Sequence, residues 1–226
     1  MARLVWDQVG ERTYRTGVDR GVLYGYKAGE YTDGTAWNGL TNVTKTPSGA
    51  EPTDMWADNI KYLTLRGAEQ LGLTIECYTY PDVWAVYNGE AEVADGVTIG
   101  QQNRATFGFA YRNLIGNDTE GTAHGYELNL IYGCTSSPSE QANATVNDSP
   151  EAATFSYEIS TTSVPVSGTS KDGQELKPTA SVVIDSRRVD ADALKKLEDI
   201  LYGSSEGEDV PRLPLPDEIA TIFAAG

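Results

Sequence analysis

The chain has 226 residues, and its 17 Lys and Arg against 33 Asp and Glu give a formal net charge of −16. A chain of this length suits a single all-β domain, here 1–226, that can bury a sizeable core. So acidic a surface disfavours ordinary binding to nucleic acids and to anionic membranes. The N-terminus has no apolar run of signal-peptide length, and no stretch approaches the roughly 18 apolar residues of a membrane span. We therefore expect a protein that is made and folds in the cytoplasm, without a membrane partner.

The first sixty residues predict an arm, two strands and a long loop. Residues 4–6 and 22–24 are apolar and indicate an arm followed by a first strand. A loosely alternating stretch predicts a second strand over 37–45. The Gly-, Thr- and Pro-rich residues 46–58 predict a long loop, and a loop of that length in a compact domain is usually functional.

Two further strands and a short helix are predicted next. Residues 59–65 and 74–80 predict the strands, joined by a glycine-bounded link over 67–72. Pro81 opens a short helix that ends before Gly89, because proline is tolerated in the first turn of a helix.

Three aromatic segments in the middle of the chain alternate with a period of two. Their larger apolar residues are Phe107, Phe109 and Tyr111; Tyr126, Leu128, Leu130 and Tyr132; and Phe155, Tyr157 and Ile159. Such alternation predicts half-buried strands with one apolar face that must be covered. We therefore predict a β-sandwich or barrel.

The last fifty residues predict a hairpin tip, a strand, a helix and a tail. A polar tip near 171–175 precedes a buried strand over 180–184. Asp190 predicts the N-cap of an amphipathic helix over 191–202, which carries three leucines on one face and Gly203 at its end. Residues 204–226 predict an extended segment because Pro211, Pro214 and Pro216 restrict it. The predicted fold class is thus mainly β, with one flanking helix and a long loop.

The sequence offers little chemistry for catalysis. His124 is the only histidine and is expected in a solvated loop, where it lacks the second ligand that a metal site needs. Cys77 and Cys134 are expected to be small buried hydrophobes with free thiols, rather than a disulfide or redox pair. The carboxylates are scattered and irregular. We therefore predict no catalytic residue, no metal and no cofactor.

Two segments are candidates for an interaction surface. The predicted loop exposes Pro47, Pro52, Met55 and Trp56, which indicates an interaction arm. The C-terminal apolar residues Leu213, Leu215, Ile219 and Phe223 follow a flexible spacer, so two alternatives stand equally: they dock on a neighbouring chain, or they pack on their own sheet.

Several segments together resemble one family. They are DNIKYLTL, TIECYTYPD, GVTIGQQNRATFGFAYRNLIGNDTEG, GYELNLIYG, VNDSPEAATFSYEISTTSVPV, KPTASVVIDS and LPLPDE, in this order, and such motifs run from about residue 16 to residue 218. The chain resembles the major tail protein of long, non-contractile-tailed bacteriophages. The resemblance assigns no role to Cys77, Cys134 or the polar tip 170–175.

The resemblance implies a tail tube subunit, a β-sandwich or barrel related in fold to type VI secretion tube proteins. In that family six subunits join side by side so that their strands close one inner barrel. The rings stack around the tape measure protein, between the tail-end proteins, and the emptied tube conducts the genome without binding DNA specifically. The resemblance implies no active site, and a place in the virion tail after assembly in the host cytoplasm.

Two other classes of function compete with this expectation. A carbohydrate- or receptor-binding β-sandwich of a virion or cell surface would explain the aromatic residues by sugar stacking. A glycoside hydrolase would need two carboxylates flanking a cleft, and no pair in the sequence marks one.

Overall fold

The computed structural model describes residues 3–49, 51–143, 145, 152–204 and 210–224. Within them the strands are β1 (Thr13–Lys27), β2 (Glu30–Trp37), β3 (Leu40–Gly49), β4 (Pro52–Ala57), β5 (Ile60–Arg66), β6 (Glu69–Cys77), β7 (Ala91–Ala94), β8 (Val97–Ile99), β9 (Phe107–Asn117), β10 (Gly121–Ser136), β11 (Phe155–Thr161) and β12 (Ser181–Asp185). The helices are α1 (Trp84–Tyr87), α2 (Ala191–Tyr202) and α3 (Pro216–Ala224). The chain is mainly β, which confirms the predicted fold class.

Eight of the strands form one antiparallel sheet. Its order is β2-β1-β9-β10-β11-β6-β3, and β12 pairs with β10 beside this path. The sheet curls over itself, because Trp37 at the end of β2 and Ile75 in β6 share one buried cluster although they lie near opposite ends of the strand order. Two layers of the same sheet thus face each other, as in a β-sandwich.

The buried residues form two cores, one on each face of the central strands. The inner core, between the layers, contains Leu23, Trp37, Leu73, Ile75, Cys77, Trp84, Phe107, Phe109, Tyr111, Ile131, Cys134, Tyr157 and Ile159. The helix-side core contains Val22, Tyr24, Tyr31, Ala110, Leu128, Leu130, Tyr132, Ile184, Leu194, Leu197, Leu201, Leu213 and Ile219.

The expectation of a single apolar face is therefore wrong for the central strands. Leu130 and Ile131 are adjacent in β10, both are 0% exposed, and they belong to different cores. Because successive side chains of a strand point to opposite faces, β10 must be covered on both sides. The facing layer of the sheet covers one side of β10, and the helices cover the other side.

Helix α2 matches its prediction in position and capping. The Asp190 carboxylate accepts hydrogen bonds from the backbone N–H groups of Asp192 (3.0 Å) and Ala193 (2.9 Å). These bonds satisfy two of the four N–H groups that a helix start leaves without an intrahelical acceptor. The buried face of α2 closes the helix-side core.

The prediction of an extended segment over 204–226 is wrong for residues 216–224, which form α3. Pro216 takes the first helical position, where its missing N–H costs nothing. Asp217 and Glu218 follow in the first turn, where negative charge is favourable. Residues 205–209 and 225–226 lie outside the described part of the chain.

The prediction of a long loop over 46–58 is also wrong, because most of that stretch is strand. Residues Leu40–Gly49 form β3 and residues Pro52–Ala57 form β4. β3 pairs with β6, and β4 pairs with β5. Together these four strands make one long ribbon that reverses at Asp58 and Asn59, which have φ of 51° and 63°. Aspartate and asparagine tolerate the positive φ that a two-residue hairpin turn needs.

Other predicted boundaries in this region shift as well. The strand predicted over 37–45 is divided between β2 and β3 at residues 38–39, where Gly39 has φ of 74°. The link predicted over 67–72 shortens to two residues because β6 begins at Glu69, and β6 ends at Cys77 instead of reaching residue 80.

Candidate assembly surfaces

The distal half of the ribbon, β4 and β5, is a hairpin that stands away from both cores. Every residue of both strands is exposed. At about 3.3 Å per residue, six residues extend the hairpin roughly 20 Å. We call β4, the turn at residues 58–59 and β5 the distal hairpin.

The distal hairpin carries large apolar side chains that its own fold leaves uncovered. Their exposed fractions are Met55 48%, Trp56 69%, Ile60 62%, Tyr62 67%, Leu63 37% and Leu65 56%. Met55 lies opposite Leu63, and Thr53 lies opposite Leu65, so these residues share one face of the hairpin. Asp54 is an exception to this apolar character: Lys61 and Thr64 donate to its carboxylate at 2.8 and 2.7 Å and lower its pKa.

The four interface residues predicted from the loop lie along the same ribbon. Met55 and Trp56 are on the distal hairpin, and Pro52 begins it. Pro47 lies in β3, an end strand of the main sheet, where proline is tolerated because it need not donate on the open edge. The sequence prediction missed Ile60, Tyr62, Leu63 and Leu65, which were assigned to an ordinary strand.

The C-terminal candidates separate into two groups. Leu213 and Ile219 are 2% and 4% exposed and belong to the helix-side core. Phe223 packs against the same core, while Leu215 is 39% exposed. The segment is fixed to β2, because the Leu213 N–H donates to the Tyr31 carbonyl at 3.0 Å. Packing on the chain's own sheet is therefore the alternative that the structure shows for Leu213 and Ile219.

A third surface is the outer face of β3, β6 and β11. Register pairs place Thr44 beside Thr74 and Thr74 beside Glu158, on the side opposite the inner core. The outward residues of the three strands are Asn42, Thr44, Thr46, Ser48, Gln70, Gly72, Thr74, Glu76, Ser156, Glu158 and Ser160. We call this set the polar face.

The polar face carries charge of one sign. Its two ionisable residues are Glu76 and Glu158, and Asn42 donates to a Glu76 carboxylate oxygen at 3.2 Å. A depression of about 310 Å³ runs along it, and six of its twelve lining residues are serine or threonine. Lacking a cation and a large apolar group, this face offers a polyanion neither ion pairs nor stacking platforms.

The fourth surface is the N-terminal arm, residues 3–12. Leu4, Val5, Trp6 and Val9 are between 65% and 76% exposed. The arm is fixed at Gly10, whose N–H donates to Asp118 Oδ1 at 2.9 Å and whose carbonyl accepts from Asn117 Nδ2 at 3.2 Å.

His124 is not the solvated loop histidine that the sequence predicts. It lies in β10 with its side chain 23% exposed, and its Nδ1 lies 2.7 Å from Glu120 Oε2 and 3.2 Å from Asn117 Nδ2. The residue supports the turn between β9 and β10. Among the described residues, no group of three His, Cys, Asp or Glu side chains is placed to hold a metal ion.

Cys77 and Cys134 are free and buried in the inner core, as predicted. Burial raises the pKa of both thiols, so neither has the low pKa of a reactive cysteine. Within the described part of the chain, none of the helices has the length and apolar character of a membrane span.

No protein-family model matches the chain, and no curated protein matches it in sequence.

Proposed function

We propose that this chain is a structural subunit that self-assembles into stacked hexameric rings, forming the tail tube of a long-tailed phage. The observation that carries the proposal is the distal hairpin. A hairpin of two short strands is marginally stable in water unless something packs on it, and exposed apolar groups on strand edges recruit further chains. A second subunit of the same kind would supply the missing cover.

The number of subunits and the tube geometry come from the resemblance of the sequence to tail tube proteins. A head-to-tail contact between hairpin and neighbour is heterologous and does not close, which is how a filament grows. In this proposal the tape measure protein and the tail-end proteins are the other partners.

We further propose that the polar face lines the lumen. Duplex DNA carries about one charge per 1.7 Å, so basic wall contacts would sum into tight, salt-dependent binding. Glu76 and Glu158 would instead let DNA pass. The face also runs over three adjacent strands, which is the kind of surface that a continuous inner barrel requires.

The carbohydrate-binding alternative loses the aromatic strands as stacking surfaces and keeps only exposed rings such as Trp56 and Tyr62 of the distal hairpin. It relied on the aromatic strands for sugar stacking, but Phe107 and Phe109 are 0% exposed and Tyr157 is 6% exposed. Aromatic rings buried in the inner core cannot stack on a ligand.

Electron microscopy of the purified protein at high concentration tests the proposal. We expect rings or tubes from the natural sequence and monodisperse particles from a Trp56→Lys/Tyr62→Lys variant, since charged side chains resist burial at an interface. Val93→Lys on the β7–β8 hairpin is the matched control, because Val93 is 59% exposed. Monodisperse particles from the natural sequence at every concentration would refute self-assembly.

The lumen assignment has its own test. A Glu76→Lys/Glu158→Lys variant should keep the tube morphology and acquire affinity for duplex DNA that falls with salt, because each added phosphate contact contributes about 0.9 to the salt slope. The control variant carries Asp95→Lys and Asp172→Lys, two exposed carboxylates outside the distal hairpin and the polar face. Equal DNA affinity in both variants would place the lumen on another face.

A further inference from the structure

The main sheet is split between β1 and β3, and the split leaves two strand edges open. β1 pairs with β9 along its whole length but with β2 only from Gly21 onward. β3 pairs with β6 on one side, and within the described residues no strand pairs with its other edge. The two open edges approach each other at Gly21, where any Cβ would overlap the Leu40 side chain.

A cleft of about 180 Å³ lies in this split. It is lined by residues 15–18 of β1, residues 41–43 of β3, and Asn113. Thr41 sits at a register shift between β3 and β6, and such bulges re-aim a strand edge. The cleft therefore presents backbone hydrogen-bonding groups beside two apolar side chains, Val18 and Val43.

The N-terminal arm has the properties of a strand that could fill this split. Of the seven residues 3–9 before the anchor at Gly10, Asp7 has φ of 55° and Gln8 begins a turn, so residues 3–6 are the extended part and span roughly 13 Å. The charges of residues 3–9 are Arg3 and Asp7, so their net charge is 1 − 1 = 0 in a chain whose net charge is −16. A neutral segment meets less repulsion from a second acidic copy than other parts of the surface do.

The anchor at Gly10 starts the arm on the far side of β1 from the cleft. Gly10 is bound by Asn117 and Asp118 at the end of β9, and Asn117 pairs with Thr13 across the β9 edge of β1. The cleft lies on the opposite edge of β1. The arm and the cleft therefore lie on different sides of one chain, as the two surfaces of a head-to-tail contact do.

We infer that residues 3–6 of one copy add as a strand along the open edge of β3 of the next copy. The added strand satisfies the N–H and C=O groups of that edge, and one of its apolar side chains fills the cleft. This inference rests on the proposed function in that the occupant is a second copy of this chain.

Cysteine cross-linking between two separately purified variants tests the inference. One variant carries Val5→Cys and the other carries Thr41→Cys, so a mixed disulfide can only join two chains. The natural Cys77 and Cys134 are buried and do not compete. Val93→Cys replaces Thr41→Cys in the control mixture, because Val93 is equally accessible but lies on the β7–β8 hairpin.

We expect the Val5→Cys with Thr41→Cys mixture to cross-link at least about tenfold faster than the control, since docking raises the effective concentration of the two thiols. Equal rates would overturn the inference. So would an intrachain disulfide in a dilute chain that carries both substitutions, because the arm would then occupy its own cleft.

The two proposals fail in different ways. Tubes that form without the specific cross-link would overturn strand addition and leave the tube proposal standing. Specific cross-links in chains that give no ring or tube would support strand addition and remove the tube proposal.

Discussion

Replacing Leu213 by alanine separates the two roles that the sequence allows for the C-terminal segment. Leu213 is 2% exposed in the helix-side core. Its side chain covers Gly108 so closely that a Cβ added to that glycine would lie 2.6 Å from Leu213 Cδ2, with the Tyr31 ring at 2.8 Å. If this packing stabilises the chain, the substitution must lower the free energy of unfolding of the monomer.

The expected magnitude follows from the burial of the side chain. Leucine-to-alanine substitutions in cores cost about 2 to 5 kcal/mol, and the cost rises when the surroundings cannot collapse into the cavity. Here the backbone of Leu213 is bonded to Tyr31, and the Tyr132 hydroxyl donates to the Pro214 carbonyl at 2.8 Å. These bonds hold the segment in place, so we expect roughly 3 to 4 kcal/mol. For a chain of this size that corresponds to a fall in Tm of about 6 to 16 °C.

Urea denaturation of the monomer, followed by circular dichroism, measures this cost. Leu215→Ala is the matched control, because Leu215 is two residues away and 39% exposed; it should change the free energy of unfolding by less than about 0.5 kcal/mol. If Leu213→Ala costs no more than the control, the segment does not belong to the core. In that case a chain truncated after residue 209 should still unfold cooperatively, whereas we predict that the truncated chain loses cooperative unfolding.

Three further predictions concern the hairpin, the tyrosines and the net charge. Amide hydrogens of the distal hairpin should exchange much faster than those of β9 in the monomer and become protected in tubes, since only assembly covers the hairpin; equal protection in both states would contradict this. Burial raises the pKa of Tyr202 to about 12, so its contribution to stability is complete below the ordinary value near 10 and is lost as pH rises through 12; Tyr202→Phe should reduce the alkaline fall in urea midpoint. Within the described residues the Tyr202 hydroxyl has no partner, so the same variant should be neutral at pH 7. Raising NaCl from 20 to 500 mM should promote assembly in light scattering, because salt screens the repulsion between chains of charge −16.

The strands that could be predicted are those whose pattern is decided locally. Alternating aromatic residues predict β9, β10 and β11 correctly, and Asp190 predicts the start of α2. The second covered face could also be predicted, because Leu130 and Ile131 are adjacent in one strand, point to opposite faces and are both large and apolar. A run that is apolar on both parities is typical of a strand buried on two sides.

Residues 46–58 of the ribbon predict a loop because composition and strand propensity point in different directions there. Proline, glycine and aspartate favour turns, whereas the threonines of β3 favour strands. Asp58 and Asn59 supply the hairpin turn, but its partners β4 and β5 bury nothing within the chain. Without a burial pattern Pro52–Ala57 carries no clear signal of a strand, whereas β5 matches the strand predicted over 59–65.

The C-terminal helix was missed for a different reason. Nine residues are too few to be helical on their own in water, so α3 depends on what Ile219 and Phe223 pack against. That surface is the helix-side core, to which α2 and strands far away in sequence contribute. The prolines can be seen in the sequence, whereas the surface on which α3 packs exists only in the folded chain.

The distribution of apolar residues and charge offers a physical explanation for the proposed assembly. Both faces of the central strands are already covered, so the apolar groups of the distal hairpin cannot be explained as an unfinished core. A chain that exposes them would aggregate unless something opposed contact, and a net charge of −16 does so without discriminating between orientations. Only a contact that buries enough apolar area in one orientation overcomes that repulsion. In the proposed function, high negative charge and an uncovered hairpin are therefore complementary features, because the charge would keep the subunit dispersed until it met a matching surface.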